Sequence, residues 1–253
     1  DRALRLFAGF VVGILVARHY GPSQWGALNY VIACVVLLGS MTSTGSDNLI
    51  MRDLAKCDSE QGRADIQKTA MVLRLGFGMF SYLALLVLVL ATQGVGLPLY
   101  LAMVYGLVFI FQFSEVWEYR LRVEHHLPII AKTHIAASAF SSALKLVSLL
   151  FGWPLIAIAI AMATEYALNL IFLARYCLRH WSGMLGTFER RYARDLVKAS
   201  SLVMLGGFLM ACQSRSEYYL IAHFMNLESL GLYAAALKCM EVVDVLVLVF
   251  TMT

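Results

Sequence analysis

Most of the side chains in this sequence that could do chemistry sit inside apolar runs. The sharpest pattern is His134, Ser138, Ser141, Lys145 and Ser148, which follow steps of four, three, four and three among Ile, Ala, Leu, Val and Phe. Such steps keep residues on one helix face, so this helix carries a single polar stripe. Serines alone fit close packing between membrane helices, because small side chains let helices approach. A Lys in the stripe fits a water-accessible cavity or polar partners, since a charge facing hydrocarbon is costly. Glu165 and Asn169 stand four apart in the following run, and Lys238, Glu241 and Asp244 step by three in the last one. Arg215 and Glu217 are two apart and face different ways, which argues against a simple pair. Asn48 and Arg52, four apart, close a polar run that begins at Ser40. Because these stretches hold both signs, two readings stand: ion pairs that tie helices together, or binding of a substrate or coupling ion.

Enzymatic signatures are scarce. The sequence has no GxSxG, HExxH or Walker loop, and no GxGxxG leading into a helix. Glu124-His125-His126 is the one concentrated catalytic-looking group, in a short connection where a solvated loop cluster is the plainer reading. Cys34, Cys57, Cys177, Cys212 and Cys239 are scattered without CxxC spacing, so neither a disulfide framework nor a zinc site is indicated, and no cofactor is implied.

The elements that must position these residues follow from composition. At 60% hydrophobic and 14% charged residues, with mean hydropathy +0.74, the chain lies outside the range of soluble domains and reads as an all-α polytopic membrane protein. A span needs about 20 apolar residues to cross a hydrocarbon core about 30 Å thick. Eight stretches meet that length: roughly 3–20, 27–47, 69–92, 97–117, 128–151, 154–175, 198–222 and 231–250. The sequence starts without Met and stops near an apolar run, which reads as a piece of a longer protein whose residues 1–253 alone do not transport.

Lys and Arg set the orientation. Arg52, Lys56, Arg63, Lys68 and Arg74 follow the second stretch; Arg120, Arg122 and Lys132 follow the fourth; Arg175, Arg179, Arg190, Arg191, Arg194 and Lys198 follow the sixth. The alternate connections hold only Arg18. Positive residues accumulate on the cytoplasmic side, so the N-terminus is expected inside. Trp25, Tyr30 and Trp153 are then expected in the outer aromatic belt, and Trp117, Tyr119, Trp181 and Tyr192 in the inner one.

A repeat is also visible. Leu15-Val16-Ala17 through Gly26 and Leu220-Ile221-Ala222 through Gly231 share an offset of 205, with strict identity only at the Ala and the Gly. The pattern predicts one repeat followed by the opening of a second.

On these residues the chain resembles the polysaccharide, or O-antigen repeat-unit, flippases of the multidrug/oligosaccharidyl-lipid/polysaccharide (MOP) exporter superfamily. Ala17-Arg18-His19-Tyr20-Gly21-Pro22, Gly45-Ser46-Asp47-Asn48 through Arg52, Glu115-Val116-Trp117-Glu118-Tyr119, Arg215-Ser216-Glu217 and Gly231-Leu232-Tyr233-Ala234 carry the likeness. Glu217 stands where the family pattern has Asp. The resemblance implies two six-helix bundles about a central cavity and alternating access by rocking of the halves. Residues 1–190 would form the first bundle and 191–253 the first two helices of the second. The implied substrate is an undecaprenyl-diphosphate-linked oligosaccharide turned from the inner to the outer leaflet of a bacterial cytoplasmic membrane.

The resemblance further implies that the protein is not an enzyme, uses a proton or sodium coupling ion, meets the polysaccharide polymerase machinery and binds no nucleic acid. A hydrated groove with cations lowers the cost of carrying a diphosphate past hydrocarbon. Lys145 and Arg215 are accordingly expected in the cavity and Arg52 near its cytoplasmic mouth as a diphosphate contact. His134, Ser138, Ser141, Asn48 and Lys238 are expected as polar cavity groups, with Glu165, Glu217, Glu241 and Asp244 as coupling or pairing acids. A drug or cation antiporter of the same superfamily is the first alternative; a membrane-embedded glycan polymerase or ligase is the second.

Overall fold

The computed structural model describes the backbone of residues 2–43, 46–181 and 186–251, and the side chains of 13–42, 46–181, 186–238 and 240. Ten α-helices carry the described chain: α1 Arg2–Ser43, α2 Ser46–Lys56, α3 Glu60–Gln93, α4 Leu97–Tyr105, α5 Val108–Phe111, α6 Glu115–Val123, α7 Leu127–Leu150, α8 Ile156–His180, α9 Arg190–Phe224 and α10 Leu227–Thr251. No strand occurs among the described residues, so the all-α expectation holds. Six helices among them are long and apolar enough to cross a membrane, where eight stretches were expected. The expected stretches 3–20 and 27–47 are the two arms of α1 on either side of Gly21, and eleven of the twenty residues of the stretch 231–250 (239 and 241–250) have side chains that are not described.

Local chemistry explains the breaks. Gly21 adopts φ 78° and ψ 172° inside α1, a left-handed conformation that an L side chain resists, and Pro22 restarts the helix. The expected turn at Gly21-Pro22, with Pro22 as a helix start, is thus the break between the two arms of α1. Ser59 caps α3 by accepting the Gly62 N–H at 3.1 Å, and Gly94 (φ 67°) ends it by donating to the Leu90 carbonyl at 3.0 Å. The expected stretch 97–117 is made of α4, α5, a 3₁₀ turn at Gln112–Ser114 and α6.

The packing brings the repeat together. A Cβ on Gly26 would lie 1.7 Å from the Leu227 carbonyl oxygen, and one on Gly231 1.8 Å from the Pro22 carbonyl oxygen. Residues 22 and 227, like 26 and 231, are 205 apart, so the contact is reciprocal in the way a two-fold axis produces. Only glycine at both places lets α1 and α10 approach this closely.

At the end of the bundle rich in Lys and Arg, ion pairs take over from apolar contact. Arg74 of α3 is 4% exposed; it binds Asp47 of α2 at 3.2 Å and also Glu115 and Tyr119 of α6. Arg120 joins Glu60 and Glu124 and lies 4.2 Å from the centre of the Trp181 ring. The segment leading into α9 is fastened to α3: the Thr187 N–H and hydroxyl both donate to Asp65 Oδ1, and the Glu189 N–H donates to the Thr69 hydroxyl. Trp117 and Tyr119 are buried in this network and not interfacial, which corrects the inner-belt expectation. Trp25 and Tyr30 are likewise core residues, 4% and 2% exposed, with the Tyr30 hydroxyl 2.7 Å from Thr92 Oγ1. Trp153 does lie at the surface.

Two outcomes follow. Gly26→Ala should destabilise the protein by about 1–3 kcal/mol through overpacking, read as a drop of several degrees in the thermal midpoint. Gly76→Ala, where nothing lies within 4 Å of the new methyl, should not lower it. Arg74→Ala strands Asp47 and Glu115 and should cost about 3–5 kcal/mol, seen as loss of the monodisperse species on size exclusion, whereas Arg74→Lys should recover part of it.

Candidate functional site

A cavity of about 210 Å³ lies where α1, α7, α8, α9 and α10 meet. Lys145 comes from α7, Arg215 from α9 and Lys238 from α10, and Trp25 and Asn29 of α1 and Ser142 of α7 add polar atoms. Among the described lining residues there are three cations and no carboxylate. The α1–α10 glycine contact is what lets α10 present Lys238 beside Gly13 and Trp25 of α1.

Among the described residues, Lys145 and Arg215 are only partly compensated by protein. Glu165 of α8 is the acid whose charge reaches Lys145, but the two form no ion pair. The guanidinium of Arg215 lies 5.3 Å from the centre of the Tyr218 ring, and its Nε is buried without a hydrogen-bond partner. The indole N–H of Trp25 is also buried without one. Buried donors and cations left open in this way favour an anionic, hydrogen-bond-accepting ligand, since each unsatisfied group otherwise costs free energy. The helical rise places Lys145, five residues before the end of α7, roughly 8 Å from that end, and Arg215, nine residues before the end of α9, roughly 14 Å from it. Both helices end on the side poor in Lys and Arg.

The other sequence-derived candidates lie elsewhere. Ser141 is fully buried and donates to the Ala161 carbonyl of α8 at 2.8 Å, and Ser148 donates to the Leu144 carbonyl in its own helix. Close packing therefore explains that part of the stripe. It is Ser142, three residues before Lys145, that shares the cavity face. His134 belongs to the ion-pair end: its Nε2 lies 2.9 Å from Glu118 Oε1, and Asn169 donates to its Nδ1 at 3.4 Å. Ser138 is half-buried and outside the cavity lining.

Arg52 and Asn48 are exposed on α2; Arg52 is bound to Asp53 at 3.0 Å, and Tyr192 donates to the other Asp53 oxygen at 3.2 Å. Glu217 is exposed and accepts from the Tyr233 hydroxyl of α10. Glu241 and Asp244 lie outside the residues whose side chains are described. Trp25, Asn29 and Tyr218 are lining residues that spacing did not single out. Their signal was weak, because an isolated aromatic or amide near a span end reads first as an anchor.

Comparison with known proteins agrees with this architecture. The family model for polysaccharide biosynthesis protein matches residues 4–253. Among solved structures, the chain is similar to the inward-facing conformation of a multidrug resistance MATE family transporter of the MOP superfamily. The TM-score is 0.65 at 17% identity, over 92% of this chain and 57% of that one. The chain thus spans little more than half the length of that transporter, and the likeness is one of fold. No curated protein matches the chain. With a matching family model over almost its whole length and the helix arrangement of a MOP-superfamily transporter, the chain belongs to the polysaccharide biosynthesis protein family.

Proposed function

We propose that the protein translocates a lipid-linked oligosaccharide across the cytoplasmic membrane of a bacterium, as part of surface polysaccharide synthesis. The observation that carries this reading is the cavity with Lys145, Arg215 and Lys238 and no carboxylate among its described lining residues. A diphosphate-linked sugar needs cations for the phosphates and hydrogen-bond donors for the sugar hydroxyls. Lys and Arg serve the first need, and the open Trp25 indole N–H serves the second. Together they replace water that the headgroup loses inside the bilayer.

In this reading the N-terminus is cytoplasmic, the Lys- and Arg-rich end faces inward, and residues 1–190 form one bundle that rocks against a second beginning at 191. The reciprocal contact at Gly26 and Gly231 supports the two-fold relation between these parts. The carboxylates nearest the cations, with Glu165 first, are where a coupling proton or sodium ion would act. Passing the turned product to a polymerase completes the route.

The test is genetic and then biochemical. Deleting the gene should leave complete lipid-linked repeat units on the inner leaflet while surface polysaccharide disappears. Unpolymerised glycan on the outer leaflet would point to a polymerase, and an unchanged glycan to small-molecule export. At matched protein amount, Lys145→Ala and Arg215→Ala should each cut translocation about 10–100-fold, the loss of one charged hydrogen bond worth about 1.5–3 kcal/mol. Lys145→Arg should keep most activity, and full activity in both alanine variants would sink the assignment.

A further inference from the structure

A second hollow, of about 660 Å³, adjoins the cavity along the same two helices. The cavity takes Gly13 and Val16 from α1 and Ser142 and Lys145 from α7. The hollow takes Leu15, Arg18 and His19 from α1 and Leu146, Leu149 and Leu150 from α7. On the arm of α1 before Gly21 and on α7, the second set lies a few residues further toward the Lys- and Arg-poor end. The two spaces are therefore neighbours in one seam, with the hollow displaced toward that end.

The hollow is an apolar trough with a basic rim. Leu15 and Leu150 are 42% and 84% exposed, so its leucines are open to an occupant from the bilayer. Arg18 is exposed and has no ion pair among the described residues. The rim is held in place: the His19 ring packs edge-on against Tyr20 at 4.9 Å, and the Tyr20 hydroxyl donates to the Trp153 carbonyl in the α7–α8 turn at 2.6 Å. Arg18 is the lone Lys or Arg in the connections of its end, and the charges within the cavity leave it without a task. A leucine trough ending in an exposed guanidinium complements one kind of amphiphile, a long hydrocarbon chain that terminates in a phosphate.

We propose that the groove between α1 and α7 holds the polyprenyl chain of the lipid carrier and that Arg18 binds its lipid-borne phosphate beside the cavity. This rests on the lipid-linked substrate proposed above. The chain stays in a hydrocarbon-like channel while its headgroup occupies the polar cavity, and Arg18 gives the phosphate a cation as it passes the rim. The geometry also separates two routes, because Arg18 borders a smaller groove of about 320 Å³ on the other flank of α1, against Leu232 and Ala235 of α10.

The experiment uses the intact protein in nanodiscs of zwitterionic phospholipid and a polyprenyl phosphate with a diazirine in its first isoprene units. Labelling is expected on α7 at 146–150. It should fall at least fivefold in Arg18→Gln, recover in Arg18→Lys, and be weak with the neutral polyprenol. Because Arg18 is exposed, the variants should elute as the wild type does, which separates binding loss from misfolding. Labelling that Arg18→Gln leaves unchanged, equal labelling by polyprenol or by a photoreactive phospholipid, or labelling confined to α10 would overturn the proposal. A parallel vesicle assay with lipid-linked oligosaccharide distinguishes the two claims. Transport without label in the groove overturns this site alone, whereas groove labelling without transport overturns the translocation reading.

Discussion

The contact on which the cavity depends is the seating of two backbone carbonyls on two glycines. With the Leu227 carbonyl over Gly26 and the Pro22 carbonyl over Gly231, α1 and α10 approach at a distance that any Cβ would forbid. Membrane helices gain little from hydrophobic burial against one another, so close van der Waals approach at small residues supplies much of their association. Here it also sets position. α10 enters the wall of the cavity beside α1, and Lys238 arrives next to Trp25 and within the same space as Lys145 and Arg215.

The two ends of the bundle solve the problem of charge differently. At the Lys- and Arg-rich end, the buried guanidiniums have carboxylate partners: Arg74 has two carboxylates and a phenol, with its Nε left unpartnered, and Arg120 has two carboxylates and an indole face. Such networks lock helices together and leave no cation available to a ligand. In the cavity, Lys145 and Arg215 lack close carboxylate partners among the described residues, and donors remain open. A protein that buries cations without matching them holds that cost in reserve for a ligand.

Much of this was legible in the residues. Helical class and the identity of the long apolar runs follow from composition alone, because few other structures hold such sequences in lipid. Lys145 and Arg215 stood out because a charge inside an apolar run needs a reason. The serine stripe misled in part, since Ser141 lies on the same helical ridge as Lys145 and yet turns its hydroxyl to a neighbouring carbonyl. Periodicity cannot tell those two uses apart without the partner helix. Trp25 and Tyr30 failed for a related reason: proximity to a span end implies the interface only when no other helix covers it, and here α10 and α9 do. The break at Gly21 was visible as a turn, because Gly-Pro ends one helix and begins another.

Of the three cations Lys145 sits nearest a membrane face, roughly 8 Å from the end of its helix, while Arg215 lies close to mid-depth. In the orientation proposed above, that face is the outer one. A bacterial membrane is negative inside, so an anion drawn from the cytoplasmic leaflet toward the outer face moves toward the positive side and down its electrical potential energy. Each negative charge that crosses the full potential gains about 2.3 kcal/mol per 100 mV. In that proposed reading, the depth of Lys145 would let the membrane voltage do work on an anionic headgroup before any ion gradient is drawn upon.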